Sequence, residues 1–485
     1  MINISKTSTL KDELLRNAYL HSFFLYRNCF RVEILSINRI YSFPYLIFDL
    51  PMLSLYIHIP FCASKCAYCS FNSIPTNSSD ILIDEYMQSL KKEIDYYAAT
   101  LKDKALKTLY FWWGTPSRIW VGRIIDIIEY ITTKFDLEEL AELSIELNPY
   151  PETEVLDFVR TLNKRYPKIS RLRYSFGIQS FDDEVLKLTW RAYSFGGIVE
   201  FLRSLVKLKQ DNNVFNFDFI AFGKFLVSKN WHKQLWHEHK RDFLKNFLNS
   251  WYVDSISLYT LEGLKEGGQE IREQEIREQE PGNSKQGINI YHGDDEEIME
   301  EFLILKAMVE DAWFGRYEIS NFARAGKASI HNMVYRNMEP YIGLWLSAAS
   351  FLPYPTDPIL LKNIRDNLFP SLASAWQSLS AWKALRRTNT WNMKQYLEWH
   401  RIDEKEVHTL DDSDLLIEEF FLRLRTRAWI ADILKFASVL VPHYQWLLSN
   451  YQWAWLLSFD WVQLRLTDEG MNVYNSIITD LLQKI

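Results

Sequence analysis

Glycine is scarce in this chain of 485 residues, which contains 16 glycines and 18 tryptophans. Soluble proteins contain about 7% glycine, so roughly 34 would be expected in a chain of this length. The shortfall is close to the number of tryptophans. Tight turns and close approaches of the backbone to a ligand normally use glycine, because it reaches positive φ without steric cost. The scarcity therefore raises the question of which residues occupy such positions.

Other absences exclude classes of protein. No apolar run of about 18 residues, the length that crosses a bilayer, is free of charged residues. The most apolar region, residues 18–60, is interrupted by Arg27, Arg31, Glu33, Arg39 and Asp49. The amino terminus does not have the pattern of a secretory signal. Because the net charge is −7 and no basic patch stands out, we expect a cytoplasmic protein without a nucleic acid partner.

Cysteine is also rare, and three of the four cysteines are clustered. Cys62, Cys66 and Cys69 lie within IHIPFCASKCAYCSF, directly after a predicted strand. Such clusters in a reducing compartment are more often metal-binding or catalytic than disulfide-forming. Three thiolates at CxxxCxxC spacing can hold three irons of a cubane cluster and leave the fourth iron open. A zinc site completed by His58 is the alternative.

Short apolar or alternating segments recur along the chain and alternate with amphipathic segments. The predicted strands are 53–59, 107–112, 143–147, 172–177, 214–221 and 255–261, and clear helices are predicted at 81–98 and 123–135. Such alternation indicates an α/β fold with parallel strands, either an open doubly wound sheet or a full or partial barrel. Ligands bind at the carboxyl ends of the strands in these folds. The cysteines and the segment FWWGTPS (111–117) should therefore face one site.

The second half of the chain is less regular. Residues 263–287 contain a tandem QEIRE repeat and no apolar stripe, which predicts a solvated, disordered insertion. After about residue 360 the pattern becomes mostly helical and ends, over 461–485, in a short strand and an amphipathic helix. This ending is winged-helix-like, but its mixed charge argues against DNA binding.

Several motifs together resemble one known family. YIHIPFC with CxxxCxYC spacing is followed by a strand that ends in GTP, and further matches are IELNP (145–149), RYSFGIQSFDDEVLK (173–187), RAYS (191–194), FDFI (217–220), GRYEISNFARAG (315–326), HNMVY (331–335) and LTDEG (466–470). The chain resembles radical S-adenosylmethionine (SAM) proteins of the coproporphyrinogen dehydrogenase and heme chaperone group. The resemblance implies a partial (β/α)6 barrel over residues 52–355 and a smaller, mostly helical domain over 356–485.

Phe71 bears on the choice between the two branches of this group. The dehydrogenase has a further cysteine at this position, so Phe71 favours the heme chaperone branch known as HemW. That branch implies heme as a ligand, respiratory proteins that accept it, an electron donor and peripheral membrane contact. Oxygen-independent coproporphyrinogen III dehydrogenase remains the alternative. The branch motif HNxxYW reads HNMVYR here, and Arg336 could pair with a heme propionate instead of the missing aromatic.

The resemblance also implies roles for individual residues. A 4Fe-4S cluster would be held by Cys62, Cys66 and Cys69, and His331 would be a heme ligand. Strand-end and turn residues would contact SAM, with Arg191 suited to its carboxylate and Tyr68 to its adenine. The implied SAM contacts are Tyr56, Tyr68, Trp113, Gly114, Thr115, Glu146, Gln179, Arg191 and Asp218.

Six tryptophans stand where the family has glycine: Trp112, Trp113, Trp190, Trp313, Trp345 and Trp429. Indole in place of hydrogen at a close-packed turn overpacks it, at about 1 to 3 kcal/mol per site. We therefore predict that the source reads UGA as glycine and that this sequence was translated with UGA as tryptophan. A decayed, inactive copy is the alternative. Residues 1–51 match nothing in the family, and we predict that they are an upstream extension or a misassigned start before Met52.

Overall fold

The structure is a computed structural model. It describes residues 52–62, 74–75, 80–101, 103–113, 120–189, 191–223, 234–261, 295–353, 384–390, 392–398, 402–428, 430, 436, 456–459 and 463–482. The predicted extension 1–51 and insertion 263–287 lie outside these residues. So do several residues singled out above, namely Cys66, Tyr68, Cys69, Phe71, Gly114, Thr115, Trp190 and Trp429.

Strands and helices alternate through the first half of the described chain. The strands are β1 Leu53–Ile59, β2 Phe61–Cys62, β3 Ile74–Pro75, β4 Leu106–Trp113, β5 Glu142–Leu147, β6 Leu172–Gln179, β7 Asn213–Ala221, β8 Ser255–Thr260, β9 Gly315–Glu318, β10 Asn321–Ala323, β11 Tyr341–Leu344, β12 Ala349–Pro353, β13 Ala384–Asn389, β14 Ile402–Leu410, β15 Leu457–Phe459 and β16 Leu464–Leu466. The helices are α1 Asp80–Thr100, α2 Trp120–Thr132, α3 Glu152–Arg165, α4 Asp183–Leu188, α5 Phe195–Leu205, α6 Gln234–Leu248, α7 Asp295–Asp311, α8 Ile330–Arg336, α9 Met393–Leu397, α10 Asp412–Leu424, α11 Asp468–Asn472 and α12 Tyr474–Leu482.

One sheet organises most of these elements, in the order β14-β13-β12-β11-β1-β4-β5-β6-β7-β8-β10-β9. The strands from β11 to β8 in this order are parallel, and both flanks are antiparallel. All six predicted strands form, and they are neighbours in chain order. The predicted α/β class, with a mostly parallel core sheet, is confirmed.

The alternation along β1 shows why these residues form a strand with two different faces. Leu55 and Ile57 are fully buried in the same apolar core as Ile83 and Leu90 of α1. Burying each such side chain stabilises the fold by about 1.5–3 kcal/mol. Tyr56 and the other residues at alternating positions lie on the opposite face of the strand. The inner face of the sheet is therefore free to carry polar side chains.

The carboxyl-terminal part differs from the mostly helical domain predicted after residue 355. Strands β13 and β14 continue the core sheet beyond β12. The hairpin of β15 and β16 shares a separate apolar core with α10 to α12, built on residues such as Phe420, Leu464 and Ile477. Arg316 of β9 connects this region to the sheet by donating to Asn472 Oδ1 at 2.7 Å.

Candidate cofactor site at the carboxyl ends of the strands

Polar and aromatic side chains cover the inner face of the sheet, opposite the apolar core. We call the group near the amino ends of the strands the floor and the group near their carboxyl ends the rim. The floor consists of Ser54, Thr108, Glu142 and His331. The rim consists of His58, Trp112, Glu146, Gln179 and Asp218. Tyr56 and Tyr110 lie between the two groups, with ring centroids 5.8 Å apart.

The first predicted cluster ligand lies next to the rim. Cys62 is buried at the end of β2, which follows β1 after a single residue. Strand β2 pairs with β3 through Phe61 and Ile74, and the Ile74 amide donates to the Pro60 carbonyl at 2.6 Å. This pairing holds Cys62 and Ile74 next to each other, and the sequence between them contains Cys66 and Cys69. The described residues contain no group of His, Cys, Asp or Glu side chains arranged to hold a metal.

The end of β4 lies beside the end of β1. The register pairs His58 with Trp112 and Ile59 with Trp113, so the strand that carries WWGTP and the strand that leads to the cysteines end together. The Trp112 ring centroid is 5.8 Å from that of His58 and 6.3 Å from that of Tyr56. Tyr56 Oη and His58 Nδ1 are 3.0 Å apart. An indole therefore fills the space above Tyr56 at the rim.

Two carboxyl groups influence each other at the rim. Burial, followed by the charge of Asp218, raises the pKa of Glu146 to about 8. Burial also raises the pKa of Asp218. Tyr110 Oη donates to Glu146 Oε1 at 2.5 Å, and Asn216 Nδ2 donates to Asp218 Oδ1 at 2.8 Å. Such a pair can accept hydrogen bonds from hydroxyl groups or stabilise a cation, at the cost of holding charge away from water.

Gln179 ends β6 in a strained position. Its φ is 65°, and its buried Oε1 has no hydrogen-bond partner among the described residues. A Cβ on Gly177 would lie 2.7 Å from Gln179 Nε2, so glycine at 177 allows this packing. Nearby, Arg191 Nη1 donates to Asn148 Oδ1 at 2.9 Å. A buried acceptor without a donor, in a strained backbone at a strand end, is typical of a ligand site.

His331 lies at the floor, at the end of the sheet opposite Cys62. Its ring is fully buried, with Nδ1 2.7 Å from Thr108 Oγ1 and Nε2 2.7 Å from Tyr335 Oη. Burial, followed by the charge of Arg173, lowers the pKa of His331 to about 3. The imidazole is therefore neutral, and both nitrogens are engaged. In this arrangement His331 does not fit the predicted role of heme ligand.

Glu142 explains why His331 is at the floor. Its buried carboxylate accepts hydrogen bonds from the amides of Ile330 and His331, at 3.0 and 3.1 Å, and from Ser329 Oγ at 3.1 Å. A carboxylate at the first turn of a helix satisfies amides that otherwise have no partner and complements the helix dipole. Glu142 thus fixes the amino terminus of α8 beneath the amino end of β5.

Arg336, at the last position of HNMVYR, also has a protein partner. Its Nη2 is 3.0 Å from Glu318 Oε2, and the Glu318 carboxylate is almost completely buried. The predicted pairing of Arg336 with a heme propionate would have to compete with this ion pair. In the structure, Arg336 instead connects α8 to β9 through this ion pair.

Tyr110, Arg173 and Glu142 were not predicted as site residues. The alternation in KTLYFW places Tyr110 on the same face as Thr108 and Trp112, so the strand pattern contained the signal for it. Arg173 is buried among the inner polar residues, where its charge opposes the rise in the pKa of Asp218 that burial causes and adds to the fall in the pKa of His331. Its place beside these residues depends on the pairing of β5, β6 and β7, which no local pattern supplies.

Comparison with known proteins agrees with the fold. Residues 56–225 match the radical SAM superfamily. The Escherichia coli structure titled coproporphyrinogen III oxidase (HemN), a radical SAM enzyme, superposes with a TM-score of 0.64 at 17% identity, over 90% of this chain and 91% of that chain. Over residues 56–225 this chain is therefore similar to radical SAM proteins, and its fold is similar to that of the HemN structure.

Relatives in sequence indicate the branch. The heme chaperone HemW of Buchnera aphidicola is 27% identical over 325 residues, which are 66% of this chain and 76% of that protein. The Escherichia coli heme chaperone HemW is 28% identical over 313 residues, 64% of this chain and 73% of that protein. A mitochondrial radical SAM domain-containing protein of Danio rerio is 28% identical over 305 residues, 62% of this chain and 61% of that protein. The chain is HemW-like.

Proposed function

We propose that this chain is a cytoplasmic heme chaperone that carries a 4Fe-4S cluster and SAM at the rim, binds heme and delivers it to respiratory proteins. An electron donor and peripheral contact with the membrane belong to this proposal. No helix among the described residues is long and apolar enough to cross a membrane. The observation that carries the proposal is the position of Cys62 just after β1, at the same end of the sheet as a rim where Gln179 Oε1 has no hydrogen-bond partner among the described residues.

The residues at the rim fit SAM by their chemistry. SAM presents hydroxyl and ammonium donors, and the rim offers Glu146, Asp218 and Gln179 as acceptors, the Oε1 of Gln179 having no partner among the described residues. Arg191 is a cation suited to the SAM carboxylate. Residues 113–115, at the end of β4, would add backbone contacts. The rim thus supplies both kinds of group that this zwitterionic ligand needs.

Each part of the chain would have a distinct task. When bound, a cluster with one iron free of protein ligands supplies an open coordination position and an electron. Cys62, Cys66 and Cys69 would hold the cluster. Tyr110 orients the Glu146 carboxylate through its hydrogen bond, so that an acceptor is fixed in place before SAM arrives.

Heme binding is supported by the names of the relatives. His331 is buried and hydrogen-bonded at both nitrogens, so the proposal does not use it as the axial ligand. Both Arg336 and Glu318 are likewise engaged with each other. A heme site on this chain therefore lies away from the floor, or requires α8 to leave it.

Anaerobic purification and cluster reconstitution, followed by parallel assays, test the proposal. We expect SAM binding and heme retention without decarboxylation of coproporphyrinogen. Turnover of coproporphyrinogen would contradict the chaperone function and support the dehydrogenase. Absence of both heme binding and turnover would instead indicate a scaffold or inactive protein.

A further inference from the structure

We infer that the native residues at positions 313 and 345 are glycines, and that the other tryptophans predicted to be recoded share this origin. The inference rests on the backbone and on side-chain contacts, so it does not depend on the proposed function. Among the described non-glycine residues, five have positive φ, and two of them are Trp313 and Trp345. A bulky aromatic residue in this region is an outlier.

Trp313 occupies the position after a helix where glycine is usual. The Phe314 amide donates to the Val309 carbonyl at 3.3 Å, and the Trp313 amide donates to the Glu310 carbonyl at 2.9 Å. Together these two bonds form a Schellman motif at the end of α7, whose C′ residue is left-handed and most often glycine. Trp313 has a φ of 66° and an exposed fraction of 85%. Its indole therefore gains no core packing that would offset the backbone cost.

The backbone of Trp345 is also strained, but its side chain is buried instead of exposed. Its φ is 97°, and the buried side chains of Glu93 and Asn389 fix this conformation by bonding its amide and carbonyl at 2.9 and 2.8 Å. The indole is fully buried, yet Nε1 has no hydrogen-bond partner among the described residues. Its ring centroid is only 3.5 Å from that of Tyr86. A buried donor without an acceptor and an overpacked ring are each destabilising.

These features share one explanation. UGA translated as glycine in the source, but as tryptophan in this sequence, accounts for both left-handed tryptophans. It also accounts for 16 glycines beside 18 tryptophans. A decayed copy would scatter substitutions over many residue types and would not concentrate one residue at glycine-like backbone positions. Trp112 at the rim fits the same origin, because glycine there would open the space above Tyr56.

The gene and the native protein test the inference directly. We expect UGA at codons 313 and 345, and glycine at both positions in peptides from the source organism analysed by mass spectrometry. Codons UGG, or tryptophan in those peptides, would overturn the inference. Either method decides the question without a folded recombinant protein.

Stability measurements give an independent test with opposite expected signs. If glycine is native, Trp345→Gly raises Tm by a few degrees. If tryptophan is native, the same change leaves a cavity and lowers Tm. At the exposed site, the Tm of the Trp313→Gly variant should be higher than that of Trp313→Ala, since alanine keeps the Cβ that disfavours positive φ. Trp251→Gly is the matched control, because Trp251 is 68% exposed and has no positive φ; it should not raise Tm.

A SAM-binding measurement tests the inference at the rim, and this test rests on the proposed function. The double variant Trp112→Gly, Trp113→Gly should bind SAM at least tenfold more tightly than the parent chain. Unchanged affinity, together with UGA codons and the expected Tm changes, would contradict the SAM site and leave the recoding intact. Unchanged affinity with UGG codons would contradict the recoding.

Discussion

The floor and the rim share the strands β1, β4 and β5, yet their polar groups are satisfied in different ways. At the floor, Glu142 accepts three hydrogen bonds from the start of α8, and both nitrogens of His331 are bonded. At the rim, Gln179 Oε1 has no partner among the described residues, and the pKa of Glu146 is raised to about 8 by burial and by Asp218.

This difference distinguishes polar groups that stabilise the fold from polar groups that can bind a ligand. A buried group whose bonds are complete stabilises a single arrangement, whereas a buried group without a partner costs free energy until a ligand supplies one. The contrast predicts that substitutions at the floor reduce stability and that substitutions at the rim change ligand binding. Four experiments test this contrast between the floor and the rim.

The largest effect is expected for Glu142→Ala. This change leaves the first amides of α8 and Ser329 Oγ buried without their acceptor, so we expect a loss of about 3–5 kcal/mol in the free energy of unfolding. Chemical denaturation measures it. Glu139→Ala, at an exposed position before β5, is the control and should change stability by less than about 0.5 kcal/mol. A similar small effect at Glu142 would show that the floor is not held by this carboxylate.

His331→Phe tests the assignment of the histidine to the floor. The ring volume is roughly kept, but Thr108 and Tyr335 lose a buried partner, and we expect a loss of about 1–3 kcal/mol. Heme affinity should stay unchanged. His408→Phe, at an exposed position of β14, is the matched control. Loss of heme binding with full stability would show that His331 is a heme ligand after all.

Tyr110→Phe should act on the rim. Removing the hydroxyl frees the Glu146 carboxyl from its fixed orientation, and we expect SAM affinity to fall about tenfold, equivalent to the roughly 1.4 kcal/mol of one hydrogen bond. Calorimetry on the reconstituted protein measures it. Tyr174→Phe removes a buried hydroxyl that bonds Asn163 on the outer face, and should leave SAM affinity unchanged. Equal effects of the two variants would argue against a positioning role for Tyr110.

The fourth test is the pH dependence caused by Glu146. Its pKa is about 8 in the folded chain and 4.5 without these surroundings. Between these values the folded state holds more protons than the unfolded state, so the free energy of unfolding falls as pH rises from about 4.5 to 8. Glu146→Gln should flatten this slope in the ligand-free protein, and exposed Glu139→Gln should not. An unchanged slope in Glu146→Gln would remove the charge argument for the rim.

The strands could be predicted because their pattern is local. Alternation in LSLYIHI gives both the strand Leu53–Ile59 and the shared face of Tyr56 and His58. The parallel strand β11 and the antiparallel strands β13 and β14 were not predicted, since short segments do not specify their partners. The sheet consequently extends past residue 355.

The site residues near the carboxyl ends of strands could be predicted from the sequence. Glu146, Gln179 and Asp218 lie at the carboxyl ends of β5, β6 and β7, as parallel strands require. The position of His331 was not predictable, because a short helix can pack at either end of a sheet. A tertiary contact, the capping of α8 by Glu142, places α8 and His331 at the floor.

Iron and acid-labile sulfide content after anaerobic reconstitution tests the central claim most directly. The parent chain should contain about four of each per polypeptide, with the absorption and EPR signals of a 4Fe-4S cluster after reduction. The variant Cys62→Ser, Cys66→Ser, Cys69→Ser should contain almost none, while Cys29→Ser keeps the full content. A parent chain without iron and sulfide, or a triple variant that retains them, would contradict a cofactor site at the rim.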